Sequence, residues 1–208
     1  MHDTTYQYFT RPFILLWFPL FFLHGCSLDS EKNVEIVMTT IFGDIDIEIY
    51  LEKAPITSKN FLKYVDGGHF NDGSFYRTVT YENDKGSPKI EVIQGGLGQN
   101  ISLFPPIDHE TTQTSGVKHL DGVISMGRGE IGTAASEFFI CIGDQPGLDF
   151  GQSRNADKQG FSAFGRVVSG MEVVRKIHQQ SSNRPADNPY VEGQMIDNPV
   201  VIKNVRRN

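Results

Sequence analysis

Val34-Glu35-Ile36-Val37-Met38-Thr39-Thr40-Ile41-Phe42-Gly43-Asp44-Ile45-Asp46-Ile47-Glu48-Ile49-Tyr50 is the stretch that decides the fold class. Ile45, Ile47 and Ile49 alternate with Asp46, Glu48 and Tyr50, a two-residue period that turns one face toward a core and the other away from it. Val34, Ile36 and Met38 carry the same period one segment earlier, and Ile41-Phe42-Gly43-Asp44 supplies the turn between them. The domain therefore opens with a β-hairpin.

Working outward, Ala54-Pro55 starts a helix, because proline is tolerated in a first turn. Phe61, Tyr64 and Val65 follow at helical spacing on one face, and Gly67-Gly68 ends it. Further strands are expected at about 75–80, 90–95, 122–126, 136–142, 162–168 and 199–206, with a second helix over about 170–179 that aligns Met171, Val174 and Ile177. The pattern predicts a mainly β fold: a closed eight-stranded antiparallel barrel capped by two α-helices. Closure removes the exposed strand edges that would invite aggregation. Two loops interrupt the pattern, a polar insertion at 81–89 and a longer one at 97–121 containing Pro105-Pro106.

Composition narrows the function. The 208 residues suit one domain with appendages, and 38% hydrophobic with 21% charged residues is ordinary for a globular chain. A formal net charge of −6 argues against a partner such as nucleic acid, which calls for clustered Lys and Arg. Two cysteines make no disulfide framework, and Cys141 in Phe138-Phe139-Ile140-Cys141-Ile142 reads as a small core residue. His109-Glu110 and His119 lack a recognisable ligand spacing, so no metal is expected. Ser136-Glu137 has no partnered His motif, and the glycines at 95, 96 and 98 do not form a phosphate-binding loop.

The first residues read as an address. Residues 13–23 form an apolar run, too short for a spanning helix of about 20 residues but of signal-peptide length. Leu23-His24-Gly25-Cys26 resembles a bacterial lipobox, with His24 a departure from it. The expected division is a signal peptide over 1–25, a lipidated Cys26 with a short tether over 26–33, and the folded domain over 34–208. That places the protein in a bacterial envelope, anchored by lipid and facing the periplasm or the exterior, with the outer membrane favoured by Ser27 in a two-membrane cell. Plain cleavage to a soluble secreted form, an uncleaved anchor and a mis-assigned start are the alternatives.

Four segments of the domain, in order, resemble cyclophilin-type peptidyl-prolyl cis/trans isomerases of a divergent bacterial branch. They are Phe75-Tyr76-Arg77-Thr78-Val79; Val92-Ile93-Gln94-Gly95-Gly96; Ile124-Ser125-Met126-Gly127 with Ser136-Glu137-Phe138-Phe139-Ile140; and the run from Phe164-Gly165-Arg166-Val167 to Val174. The resemblance covers about residues 34–207. It implies that Arg77 is the main catalytic group, that Gln94 orients the substrate backbone and that Phe139 floors a proline pocket. Val92, Met126, Leu148 and Phe161 would lie nearby, Gly127 would hold the substrate residue that precedes proline through its backbone, and Glu137 would be a further substrate-binding residue. It also implies proline-containing polypeptides as substrates, no cofactor and a monomer.

Each residue has a plainer reading: a surface ion pair for Arg77, core packing alone for Phe139, a turn for Gln94. The chain also departs from the family. Glu91 stands where a pocket Phe is usual, Val92 replaces a Met and Glu137 a Gln, and Gly147 falls at the Trp that eukaryotic members offer to cyclosporin. The usual pocket His is matched by Phe161. Weak cyclosporin binding and an altered pocket are expected, and a proline-peptide-binding lipoprotein of weak catalytic power is the alternative function. A third reading is a structural envelope lipoprotein that binds a partner through its long loops.

Overall fold

The computed structural model describes residues 1–4, 33–98 and 101–208; the apolar run, Cys26 and most of the tether lie outside the described residues. Eight strands form the body: β1 (Val34–Thr40), β2 (Gly43–Ile49), β3 (Ser74–Val79), β4 (Val92–Gly96), β5 (Val123–Met126), β6 (Phe138–Cys141), β7 (Ala163–Ser169) and β8 (Met195–Arg207). They close in the order β1-β2-β7-β5-β6-β4-β3-β8, every neighbouring pair antiparallel. The first and last strands meet at the seam, Ile36 opposite Arg207 and Thr40 opposite Ile202.

Alternation fills the interior. Ile36, Met38, Ile45, Ile47 and Ile49 are all fully buried. Phe61 of helix α1 (Pro55–Asp66) plugs one end, its ring 5.0 Å from Phe70, 5.0 Å from Phe164 and 5.5 Å edge-on from Phe138. Helix α3 (Met171–His178) buries Val173, Val174 and Ile177.

Among the described residues three α-helices, rather than two, accompany the barrel. The additional one, α2 (Thr112–Ser115), is a single turn inside the long 97–121 loop. Thr111 caps its start and Gly116, with φ of 71°, ends it. Thr-Gln-Thr-Ser has no apolar face, so no periodicity announces it. The same loop supplies Glu110, whose carboxylate accepts from the backbone N–H groups of Ile56 (3.1 Å) and Thr57 (2.7 Å). It thereby caps α1 from a distance and satisfies donors that Ala54 cannot.

The last strand begins at Met195 rather than near 199. Pro199 has no N–H for a ladder and reads in sequence as a strand start. In the fold, Met195 pairs with Arg77 and Val200 with Phe75, so Pro199 falls within the irregularity between them.

Candidate active site

The site sits on the outer face of β3, β4 and β6. On β6 the neighbours Phe138 and Phe139 point in opposite directions, as strand geometry requires. Phe138 enters the barrel core, whereas Phe139 packs outside with Val79, Ile90, Val92, Cys141 and Leu148. On and just before β4 the same period brings Ile90, Val92 and Gln94 to the outer side, all three lining a cavity of about 220 Å³. Ile90 therefore contributes the apolar surface that Glu91 does not.

Phe139 is fixed on two sides. Phe161 meets it edge-on at 5.3 Å, and the imidazole of His119 stacks nearly parallel at 5.9 Å. His119 is buried between Asp149 Oδ1, 2.9 Å from Nδ1, and Ser125 Oγ, 3.0 Å from Nε2. Because the carboxylate only accepts, Nδ1 carries the proton and Ser125 donates to Nε2. Burial pushes the imidazole pKa below its ordinary value, although Asp149 pulls the other way. A Ser-His-Asp chain thus exists, but Ser125 is fully buried and no substrate atom can reach its hydroxyl.

A β-bulge delivers Arg77. Phe75 pairs with Gly95 and Arg77 with Gln94, so two residues of β3 oppose one step of β4. Without that extra residue, Arg77 would follow Phe75 into the barrel; the bulge returns it to the cavity side. Gly95 permits the close approach, since a Cβ there would lie 2.9 Å from both the Phe75 ring and the Ser74 carbonyl oxygen. The Arg77 Nη1 donates to Gln94 Oε1 at 2.8 Å, and Nε and Nη2 donate to Gln194 Oε1 at 2.9 and 2.6 Å. Gln94 Nε2 in turn donates to Tyr76 Oη at 2.8 Å, and the Tyr76 hydroxyl donates to Glu137. Burial pushes the pKa values of Tyr76 and Glu137 up and that of Arg77 down.

The 81–89 insertion stands behind the cavity and holds its lining residue Arg154. Its Asp84 is buried and accepts from Gly86 and Ile90 N–H groups and from both terminal nitrogens of Arg154, at 2.7 and 2.9 Å. Burial works to raise the Asp84 pKa, and these donors more than offset it. Arg154 also reaches the Pro88 carbonyl (2.9 Å) and the Tyr190 hydroxyl (3.1 Å). Pro88 follows a cis peptide bond and lies over Gly147, where a Cβ would meet its ring at 2.4 Å. On the opposite rim Arg128 is held bidentately by Asp157 at 2.8 and 3.0 Å and lies over the Phe161 ring.

Of the residues expected in the site, Arg77, Val92, Gln94, Gly127, Phe139, Leu148 and Phe161 all line this cavity. Glu137 does not; it borders a neighbouring cavity of about 540 Å³ that shares Gln94, Gly127 and Arg128. Met126 is a correction. It pairs with Phe138 and faces the barrel core with Ile124, on the side of the sheet away from the cavity. The sequence reading also passed over Ile90, Arg128, Arg154, Tyr190 and Gln194. Period two from Gln94 identifies Ile90, whereas the others come from loops or distant strands. His109, Glu110 and His119 have separate partners and do not converge.

A closed eight-stranded barrel thus carries on its outer face a cavity floored by Phe139 and lined by Arg77 and Gln94. The chain matches the family model for cyclophilin type peptidyl-prolyl cis-trans isomerases over residues 34–206, and it belongs to that family. It is 33% identical over 181 residues to peptidyl-prolyl cis-trans isomerase A of Dickeya dadantii, covering 85% of this chain and 86% of the relative. Peptidyl-prolyl cis-trans isomerase B of Escherichia coli is 31% identical over 150 residues, 72% of this chain and 87% of the relative. Among solved structures, a Cryptosporidium parvum cyclophilin superimposes with a TM-score of 0.66 at 19% identity, over 85% of this chain and 98% of that one. A structure of that protein in the presence of the dipeptide Ala-Pro gives 0.65 at 21% identity, over 84% and 98%. At such identities the likeness is one of fold.

Proposed function

We propose that this isomerase accelerates rotation about X-Pro bonds in exported or envelope polypeptides, with Arg77 stabilising the twisted amide. The observation that carries the reading is a half-buried guanidinium beside the apolar floor formed by Phe139, Val92 and Leu148, with no carboxylate within ion-pair distance among the described residues. Rotation costs about 18–20 kcal/mol because twisting breaks C–N resonance. In the twisted state the proline nitrogen regains its lone pair, and a guanidinium aimed at it binds that state more tightly than either planar one. The apolar patch of Ile90, Val92, Phe139 and Leu148 seats the proline ring, while Gln94 and the Gly127 backbone flank the preceding residue.

The test is cis-to-trans conversion of a short X-Pro peptide by residues 27–208. Arg77→Ala is expected to lower the catalysed rate about 10²–10³-fold while the protein stays folded. Catalysis that survives this change would remove Arg77 from the mechanism.

The envelope setting rests on residues 13–26. Uncatalysed proline isomerisation takes tens to hundreds of seconds, and a catalyst of it needs no energy source outside the cytoplasm. Growth of the full-length protein with radiolabelled palmitate is expected to label the wild type and not Cys26→Ala. An unlabelled wild type would replace the anchor with a soluble secreted form. Gly147 under Pro88 leaves no room for the Trp of eukaryotic members, in keeping with weak cyclosporin binding.

A further inference from the structure

Three arginines line the cavity floored by Phe139, and they are held differently. Arg154 and Arg128 are each clamped by both oxygens of a carboxylate, Asp84 and Asp157. Arg77 is held only by amides. Gln194 is fully buried, and its single Oε1 accepts from both Nε and Nη2 of Arg77 at 2.9 and 2.6 Å. Its Nε2 donates to the Asn83 carbonyl at 2.9 Å. The backbone is engaged as well: its N–H donates to Val191 O at 3.1 Å and its carbonyl accepts from Thr78 at 2.9 Å, next to Arg77 on β3.

We infer that Gln194 is the positioning residue of the catalytic arginine, and that its neutrality is part of its role. A guanidinium has five N–H donors in a fixed planar fork. Gln194 takes two on one edge and Gln94 takes a third, on Nη1. The plane of the fork is thereby fixed, and one N–H on each terminal nitrogen remains for a ligand. A carboxylate at this position would hold the fork equally well. It would also cancel most of the positive charge at a half-buried position, where that charge is worth more than in open water. The position demands an acceptor toward Arg77 and a donor toward Asn83, and a side-chain amide offers both.

This inference rests on the Arg77 mechanism, and the experiment separates the two. Wild type, Arg77→Ala, Gln194→Met and Gln194→Glu are compared for kcat and KM on an X-Pro peptide. Thermal melts and the Arg77 Nε–H resonance are followed alongside. Gln194→Met conserves volume but frees the fork: the resonance should lose its protection from exchange and kcat should fall about 10²-fold, with little change in KM. Gln194→Glu should keep the resonance protected, yet lower kcat about tenfold or more. Wild-type kcat in a folded Gln194→Met overturns positioning, and wild-type kcat in Gln194→Glu overturns the requirement for neutrality. If Arg77→Ala is itself fully active, the underlying mechanism falls instead.

Discussion

Phe139 is placed by its neighbours as much as by its own strand, and His119 is the neighbour with a pH dependence. The imidazole is buried and neutral, wedged between Asp149 and Ser125 with its face on the Phe139 ring. Burial lowers its pKa below the ordinary 6.5, so between 6.5 and the lower folded value the unfolded chain binds a proton that the native state refuses. Stability contributed by this group is therefore complete above 6.5 and declines as pH falls. Asp149 acts in the same direction at lower pH: burial works to raise its pKa, but hydrogen bonds from His119 hold it low. Calorimetric Tm values should fall from pH 7.5 to 5, and His119→Gln should flatten that slope. An unchanged slope in the variant would assign the acid sensitivity elsewhere. For Phe139 the family resemblance alone pointed to the pocket, since the apolar run Phe138-Phe139-Ile140-Cys141-Ile142 shows no alternation that tells its two faces apart. His119 was read only as a failed metal ligand, since nothing local places Asp149, 30 residues on, beside it.

At the scale of elements, a bulge and an insertion make the site. Strict alternation along Phe75-Tyr76-Arg77 would bury the arginine inside the barrel, and no Gly or Pro in that run marks the extra residue. Only the family resemblance assigned Arg77 to the site; the bulge supplies the reason. The 81–89 insertion was legible as a polar loop, but its organising contact was not. Asp84 and Arg154 meet across 70 residues with side chains 0% and 6% exposed. Removing one member of such a buried pair leaves the other charge desolvated and unpaired. Asp84→Ala should therefore cost about 3–5 kcal/mol in urea denaturation, and Asp84→Ala with Arg154→Leu should recover part of that loss. A change within about 0.5 kcal/mol would show the pair to be ornamental. The wall that Arg154 and Tyr190 form should loosen with it, raising KM for peptides before it lowers kcat.

For the whole molecule, strand number and antiparallel character follow from the period-two segments and turns between them, since each segment has one apolar face to bury. Strand order does not follow, because it depends on which non-local pairs form. The catalytic surface shares that limit: Gln194 lies 117 residues from Arg77, and the two meet only once β8 has docked against β3. The seam has a mechanical side as well. β1 and β8 run antiparallel, with the start of one beside the end of the other, Ile36 facing Arg207. A force that separates residues 34 and 207 acts across the strands and opens their hydrogen bonds one pair at a time, like a zip, instead of loading all of them together in shear. In optical-trap pulling from those two positions, the seam should yield first and at low tension, while handles that stretch a strand pair along its length should meet much greater resistance. A domain built this way offers an easy start to any machine that pulls on residues 34 and 207.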